Sequence, residues 1–200
     1  TGAASSGTGS GSGGHGGEGP GTGSGGGPHG PSTFFVEDFE SACEGWALAG
    51  DWQCGRPAEH IVPPQGGRCL ATNLGGAHAP GLTWDDATAT SPAVDLTLAG
   101  SPGATFQAWY SFESCCDGFR LLAAEDGSEA FVPVPVEPSY GAVIGGAQAW
   151  SGALPDWRMH RADLSQLAGR VVRLRFAASS DDGVEGEGAY IDALRVSEPY

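Results

Sequence analysis

From Thr33 onward, apolar residues occur in short or alternating runs separated by Gly, Pro and Asp. This spacing, without long helical periodicity, is typical of an all-β sandwich. The clearest alternation places Val172, Leu174 and Phe176 inward, with the intervening arginines facing water. The pattern predicts strands at residues 34–40, 46–53, 68–73, 88–96, 104–113, 119–124, 130–136, 157–163, 171–177 and 189–196. A helical turn is expected over 163–169, with Asp163 or Ser165 as its N-cap and Gly169 at its end.

The first 32 residues differ from the rest of the chain, because they contain 15 Gly and three Pro and no apolar side chain larger than Ala. They cannot form a packed core, which predicts a Gly/Ser/Pro-rich segment at 1–32 and one β-sandwich domain at 33–200. The segment is read either as a flexible linker or as an assembly element. A Gly-rich strand can adopt polyproline II or add to a neighbouring sheet edge with little steric conflict.

The net charge of −15, with nine basic residues that are all Arg, argues against a nucleic-acid partner because no basic stripe exists. The sequence contains no apolar run long enough to span a membrane and no signal peptide, a pattern that fits an already processed chain. Taken with its cysteines, these features predict a secreted or cell-surface protein.

Five cysteines lie at 43, 54, 69, 115 and 116, without a C-x-x-C pair. We expect a Cys54–Cys69 disulfide, because it closes a Pro/Gly-rich loop whose constraint contributes roughly 3 kcal/mol. A Cys43 partner for either residue is the alternative. An odd count leaves at least one thiol over.

Catalytic motifs such as H-E-x-x-H and G-x-S-x-G are absent from the sequence, so we predict no enzymatic activity. The paired carboxylates Asp85-Asp86 and Asp181-Asp182 have no inferred aromatic cleft around them.

A metal site is predicted at the two ends of the domain. Alternation in the first strand puts Asp38 and Glu40 on one face, and Asp192 lies in the last strand. Terminal strands of jelly-roll sandwiches commonly meet, and oxygen-only ligands select Ca²⁺ over zinc. The alternative is that these acids are edge-strand charges that discourage aggregation.

Five aromatic residues, Trp84, Trp109, Tyr110, Trp150 and Trp157, are candidates for a sugar-binding platform. Tryptophan in a sandwich also serves as core, and both interpretations stay open here.

Short segments spread over 34–198 resemble the MAM-like jelly-roll domains of secreted bacterial proteins, including those attached to immune-inhibitor-A-type metalloproteases. They include Asp38-Phe39-Glu40, Asp51-Trp52-Gln53-Cys54-Gly55, Cys69-Leu70-Ala71-Thr72-Asn73-Leu74, Asp117-Gly118, Ser180-Asp181 and Tyr190-Ile191-Asp192. The resemblance implies a two-sheet antiparallel jelly-roll, a structural Ca²⁺ near the first and last strands, and no catalysis. Ala193 departs from it, since the family often has a second acid there. Cys115-Cys116 is unusual beside Asp117-Gly118 and suggests a vicinal disulfide.

The sequence therefore predicts a non-catalytic module with a structural or adhesive role, which assembles into a surface fibre through 1–32. The alternatives are a carbohydrate-binding module and an ancillary domain of a secreted protein such as a protease. Its partner would be another copy of the chain, or a cell-surface glycan or protein.

Overall fold

The computed structural model describes Ser32 to Glu198, together with the isolated positions Thr1 and Gly7. The remainder of 1–32 lies outside the described residues, so the predicted division at residue 32 stays a prediction. The strands are β1 Ser32–Glu37, β2 Ala47–Leu48, β3 Trp52–Gly55, β4 Cys69–Thr72, β5 Thr88–Thr90, β6 Val94–Asp95, β7 Gly103–Ser111, β8 Gly118–Glu125, β9 Val132–Pro133, β10 Val136–Glu137, β11 Ala142–Ile144, β12 Ala147–Ala149, β13 Arg158–Asp163, β14 Val171–Ser179 and β15 Gly188–Glu198.

Two antiparallel sheets pack against each other and confirm the predicted all-β jelly-roll sandwich. Sheet A has the strand order β10-β13-β7-β15-β4-β3, with β1 also paired to β15. Sheet B has the order β2-β5-β14-β8-β9, with β6 also paired to β14. Strands β11 and β12 form a separate hairpin. The first and last strands lie side by side, with Ser32 opposite Glu198.

The core lies between the two sheets. Phe106 of sheet A meets Phe176 of sheet B edge to face, with ring centroids 5.2 Å apart. Trp46 and Trp52 are buried and also pack on Phe176, with ring centroids 6.5 and 6.2 Å away. The predicted alternation in β14 is confirmed, because Val172, Leu174 and Phe176 are all fully buried there.

Three predicted strands are each broken in two. In 46–53 the break falls at Gly50, whose positive φ of 63° turns the chain from sheet B into sheet A. In 88–96 it falls at Pro92, between β5 and β6. In 130–136 the chain leaves sheet B at Pro133 and joins sheet A after Pro135. A proline cannot donate to a sheet ladder, and this limits the strands in 88–96 and 130–136.

The predicted helical turn is a 3-10 turn at Ser165–Leu167. Its caps are Leu164 and Ala168, so the predicted caps Asp163 or Ser165 and Gly169 are wrong. The Asp163 carboxylate accepts a hydrogen bond from the Ser165 backbone N–H at 2.8 Å. Hydrogen bonds from Ser165 lower the pKa of Asp163. Within the described residues, no helix is long and apolar enough to cross a membrane.

Candidate functional site

The predicted metal ligands Asp38 and Glu40 lie just beyond β1 and not within it, since that strand ends at Glu37. Between them, Phe39 is fully buried and adopts a positive φ of 58°. The strand alternation used to place Asp38 and Glu40 on one face is therefore wrong, and a tight bend positions them. The Asp38 carboxylate accepts the Glu40 backbone N–H at 3.1 Å and so stabilises this bend.

Asp192 lies in β15 and is fully buried. Its two carboxylate oxygens accept backbone N–H groups of Gln65 at 2.7 Å and Ala193 at 2.6 Å. Burial raises the pKa of Asp192, and the negative charges of Glu40 and Asp38 raise it further.

The 65–68 loop also holds Glu40. One Glu40 oxygen accepts the backbone N–H groups of Gly67 at 2.8 Å and Arg68 at 2.7 Å, which lower the pKa of Glu40. Gly66 has a positive φ of 56°, and any Cβ there would lie 2.3 Å from the Glu40 carboxyl carbon. The positive φ and the contact with Glu40 both favour glycine at this position of the loop.

The disulfides differ from the predicted framework. Cys54 is bonded to Cys43, and Cys69 is a free, buried thiol, so the expected Cys54–Cys69 bridge is wrong. In the β3–β4 ladder Cys54 is opposite Leu70, whereas Cys69 is opposite Gly55. Successive residues of a strand face opposite sides of the sheet, so the Cys69 thiol and the Cys54 sulfur lie on different faces. Burial, with the charges of Asp192 and Glu40, raises the pKa of Cys69 to about 12.

The possible vicinal disulfide is present, since Cys115 and Cys116 are bonded to each other.

Trp109 and Trp157 lie on the outer face of sheet A. In β7 every second residue is buried in the core, and Trp109 belongs to the other set. The Arg158–Ala108 pair places Trp157, the residue before β13, beside Trp109. Together they border a pocket of about 380 Å³, whose lining is His60, Ile61, Val62, Trp109, Pro155, Asp156 and Trp157.

Tyr190 lies opposite Trp109 in the β7–β15 ladder, beside this pocket. It is fully buried, its ring meets Trp109 edge to face with centroids 5.4 Å apart, and its hydroxyl donates to the Asn73 carbonyl at 3.2 Å. At the rim, the His60 ring lies 2.7 Å from the Glu187 carboxylate. The pocket therefore combines a fixed aromatic surface with polar groups at its edge.

The other candidate aromatics do not line this pocket. Tyr110 and Trp150 are buried in the core, with 7% and 2% exposure. Trp84 donates its indole N–H to the Ile144 carbonyl, and its ring stacks on the Arg120 guanidinium at 4.5 Å. The predicted platform of five is thus reduced to Trp109 and Trp157.

Sequence reasoning missed a buried polar cluster at the end of the sandwich. His78 Nε2 lies 3.3 Å from an Asp117 oxygen, and both side chains are almost inaccessible. The other Asp117 oxygen accepts the Asp181 backbone N–H at 3.0 Å, and Gly186 N–H donates to His78. Burial raises the pKa of Asp117. These bonds tie three loops together, and the Asp117-Gly118 and Ser180-Asp181 motifs were the signal that marked two of them.

Among the described residues, the carboxylates whose oxygens all lie within 4.8 Å of one another are Glu113, Asp117 and Asp181. The predicted trio of Asp38, Glu40 and Asp192 does not form such a group.

No family model matches the chain. It is 24% identical over 168 residues to Bacillopeptidase F of Bacillus subtilis (strain 168), which covers 82% of this chain but 11% of that protein. The chain therefore corresponds to a small part of that relative.

Solved structures share the fold at low identity. The K1 cleaved adhesin domain of Lys-gingipain from Porphyromonas gingivalis W83 gives a TM-score of 0.52 at 20% identity, over 81% of this chain and 96% of that one. The CBM22-1 xylan-binding domain of Xyn10C from Paenibacillus barcinonensis gives 0.50 at 15% identity, over 83% and 94%. TmCBM61, solved with β-1,4-galactotriose, gives 0.50 at 12% identity, over 82% and 97%. The chain is thus similar in fold to adhesin and carbohydrate-binding modules.

Proposed function

We propose that residues 33–200 form a non-catalytic, extracellular glycan-binding module whose ligand stacks on Trp109 and Trp157. The observation that carries this proposal is the pocket on sheet A, where two half-buried indoles stand side by side. A sugar ring presents an apolar face to an aromatic ring and hydroxyls to the polar groups around it. His60 and Asp156 are placed to accept or donate at those hydroxyls. The shared fold of xylan-binding and galactotriose-bound modules supports this choice.

The charge of the site favours an uncharged glycan. Asp156 and Glu187 lie at the pocket or its rim, and the whole chain carries a net charge of −15. An acidic polysaccharide would be repelled at long range and would meet carboxylates on arrival. Neutral polysaccharides such as xylan or β-1,4-galactan are therefore the first ligands to test.

Calorimetric titration of the full chain with soluble xylan and galactan tests the proposal. We expect Trp157→Ala to weaken binding at least about tenfold, because it removes half of the stacking surface. Trp84→Ala is the matched control, since that half-buried indole lies on Arg120, away from the pocket. Wild-type chain that binds neither polysaccharide, or Trp157→Ala that binds as tightly as wild type, would count against the site.

We also propose that Asp38, Glu40 and Asp192 hold a structural Ca²⁺. Asp192 is a fully buried carboxylate that the 65–68 loop links to Glu40, and it has no ion-pair partner among the residues from Ser32 to Glu198. Burying an uncompensated charge is costly, and the donor set consists of oxygens alone. A bound Ca²⁺ supplies the missing positive charge, while the 65–68 loop keeps Glu40 and Asp192 in place through its N–H groups.

Self-assembly through 1–32 stays a prediction, since that segment falls outside the described residues apart from Thr1, Gly7 and Ser32. Deleting residues 1–32 should convert an assembled particle to a monomer if the segment joins copies of the chain. Light scattering and electron microscopy of both proteins with Ca²⁺ present measure this. Two monodisperse monomers at high concentration would instead favour a spacer role or a protein or glycan partner.

A further inference from the structure

The β7–β8 loop places two adjacent sulfurs next to a carboxylate. The Sγ atoms of Cys115 and Cys116 and a Glu113 carboxylate oxygen all lie within 4.8 Å of one another. Cys115 is exposed, whereas Cys116 and Glu113 are half-buried. Within the described part of the chain, the Glu113 carboxylate has no hydrogen-bond or ion-pair partner, so one oxygen ligand is available beside the sulfurs.

The loop keeps its shape through bonds that do not involve sulfur. The Glu113 carbonyl accepts the Asp117 backbone N–H at 3.3 Å and the Ser151 hydroxyl at 3.1 Å. Asp117 in turn accepts the Asp181 N–H. Opening the disulfide would therefore leave Cys115, Cys116 and Glu113 close together.

The Cys115–Cys116 bridge is also the more easily reduced of the two. It joins neighbouring residues, whereas Cys43–Cys54 spans a sequence separation of 11. The stabilisation that a bridge gains from restricting the unfolded chain grows with loop length and is smallest for adjacent residues. Exposed disulfides are also the labile ones, and Cys43 is buried while Cys115 is exposed.

We propose that Cys115, Cys116 and Glu113 form a redox-gated site for one thiophilic divalent cation of the zinc and cadmium class. A dithiol reduces the bridge, donating two electrons and two protons, and itself becomes a disulfide. Both cysteines then lose their protons as the cation binds, and the Glu113 carboxylate completes the protein ligands. Thiolate donors select soft or borderline ions over Ca²⁺. Tetrahedral Zn–S bonds of about 2.3 Å separate the sulfurs by roughly 3.8 Å, a small movement from their bonded positions.

Cd²⁺ binding to the full chain, before and after mild dithiol treatment, tests the site. Millimolar Ca²⁺ is kept present so that oxygen-only sites are occupied, and the reductant is removed by anaerobic desalting. We expect the reduced protein to retain one Cd²⁺ by native mass spectrometry and to show thiolate-to-cadmium absorption in the ultraviolet. The oxidised protein should show neither signal. Glu113→Gln should bind Cd²⁺ at least about tenfold more weakly.

Two controls assign the signal to these residues. Alkylation and peptide mapping should find Cys115 and Cys116 labelled while Cys43 and Cys54 stay bridged. The Cys115→Ser/Cys116→Ser variant, treated identically, should lose the absorption band. Three results would each overturn the proposal. They are reduction of Cys43–Cys54 before Cys115–Cys116, no absorption band in reduced wild type, and an undiminished band in the double variant. Peptide mapping of the wild type decides which disulfide is reduced first, even if the double variant does not fold.

Discussion

Chelating calcium should lower the melting temperature of the sandwich domain by about 5–10 °C. If free Ca²⁺ stands a hundredfold above its dissociation constant, linkage gives about 2.7 kcal/mol of stabilisation, and a domain of this size shifts by roughly 2–4 °C per kcal/mol. The physical reason is the fully buried Asp192 carboxylate, because a bound cation would offset the cost of burying its charge. Scanning calorimetry after chelator dialysis, with and without added Ca²⁺, measures the shift.

Asp192→Asn separates a specific site from general charge screening. The amide keeps an oxygen for only one of the Gln65 and Ala193 N–H groups and removes the charge, so the calcium-dependent part of the melting shift should vanish. Glu44→Gln is the matched control, because Glu44 is exposed and makes no hydrogen bond or ion pair within Ser32–Glu198. A melting curve of wild type that is unchanged by chelation would remove the calcium proposal.

Sequence pattern was sufficient for the parts of the fold that depend on alternation alone. Strand β14 was predicted over 171–177 and runs from Val171 to Ser179, with the expected inward set buried. Every second residue of such a strand is buried, so the sequence of the strand alone is enough to predict it. The bends in the chain were harder to place, because Gly50, Pro92 and Pro135 break runs whose composition still favours strand.

Register was the second limit. The Cys54–Cys69 pairing was argued from loop length, which is blind to sheet face, and one residue of offset in the β3–β4 ladder excluded it. The hairpin β11–β12 was missed although Gly145-Gly146 between two short apolar runs is a recognised hairpin signal. The disulfide is decided by pairing between strands, which a single sequence does not specify, whereas the hairpin has a local signal that was overlooked.

The sequence predicted the two aromatic residues of the candidate pocket but not its polar residues. Trp109 and Trp157 were among five aromatic candidates, but their selection needed the knowledge that both face away from the core. Tyr110 follows Trp109 in β7 and therefore faces the other side of the sheet, so it is buried in the core. His60 and Asp156 could not be assigned from sequence, since they come from loops that meet only in the folded domain.

His160 lies in β13, and its burial should make the stability of the domain depend on pH in acid. It is fully buried and stacks on Phe106 with centroids 5.3 Å apart. Its Nδ1 lies 2.9 Å from the Arg158 carbonyl, and its Nε2 has no hydrogen-bond partner in the described region. Burial lowers the pKa of His160 from 6.5 to about 4. The folded state therefore holds this ring neutral where the unfolded chain would protonate it.

The sign of the effect follows from that depression. Above pH 6.5 the histidine is neutral in both the folded and the unfolded state, so it does not change the stability of the domain. Below pH 6.5 the histidine binds a proton in the unfolded state but stays neutral in the folded state. Stability should fall as pH drops from 6.5 to about 4, by roughly 3 kcal/mol in total at about 1.4 kcal/mol per pK unit. His160→Phe removes this proton and the unpaired Nε2 while keeping a ring on Phe106. We expect the variant to be at least as stable at pH 7 and increasingly more stable than wild type towards pH 4.

Urea unfolding of both proteins across that pH range isolates the histidine, because the carboxylates that also titrate in acid are common to wild type and variant. Their contributions cancel in the difference between the two unfolding free energies. His60→Phe controls for the loss of an imidazole as such, since the His60 side chain is 63% exposed. The difference between His160→Phe and wild type should widen below pH 6.5 and level off near pH 4. A constant difference from pH 7 to pH 4 would mean that His160 is protonated in the fold as readily as in the unfolded chain, against the burial seen between Phe106 and Trp150.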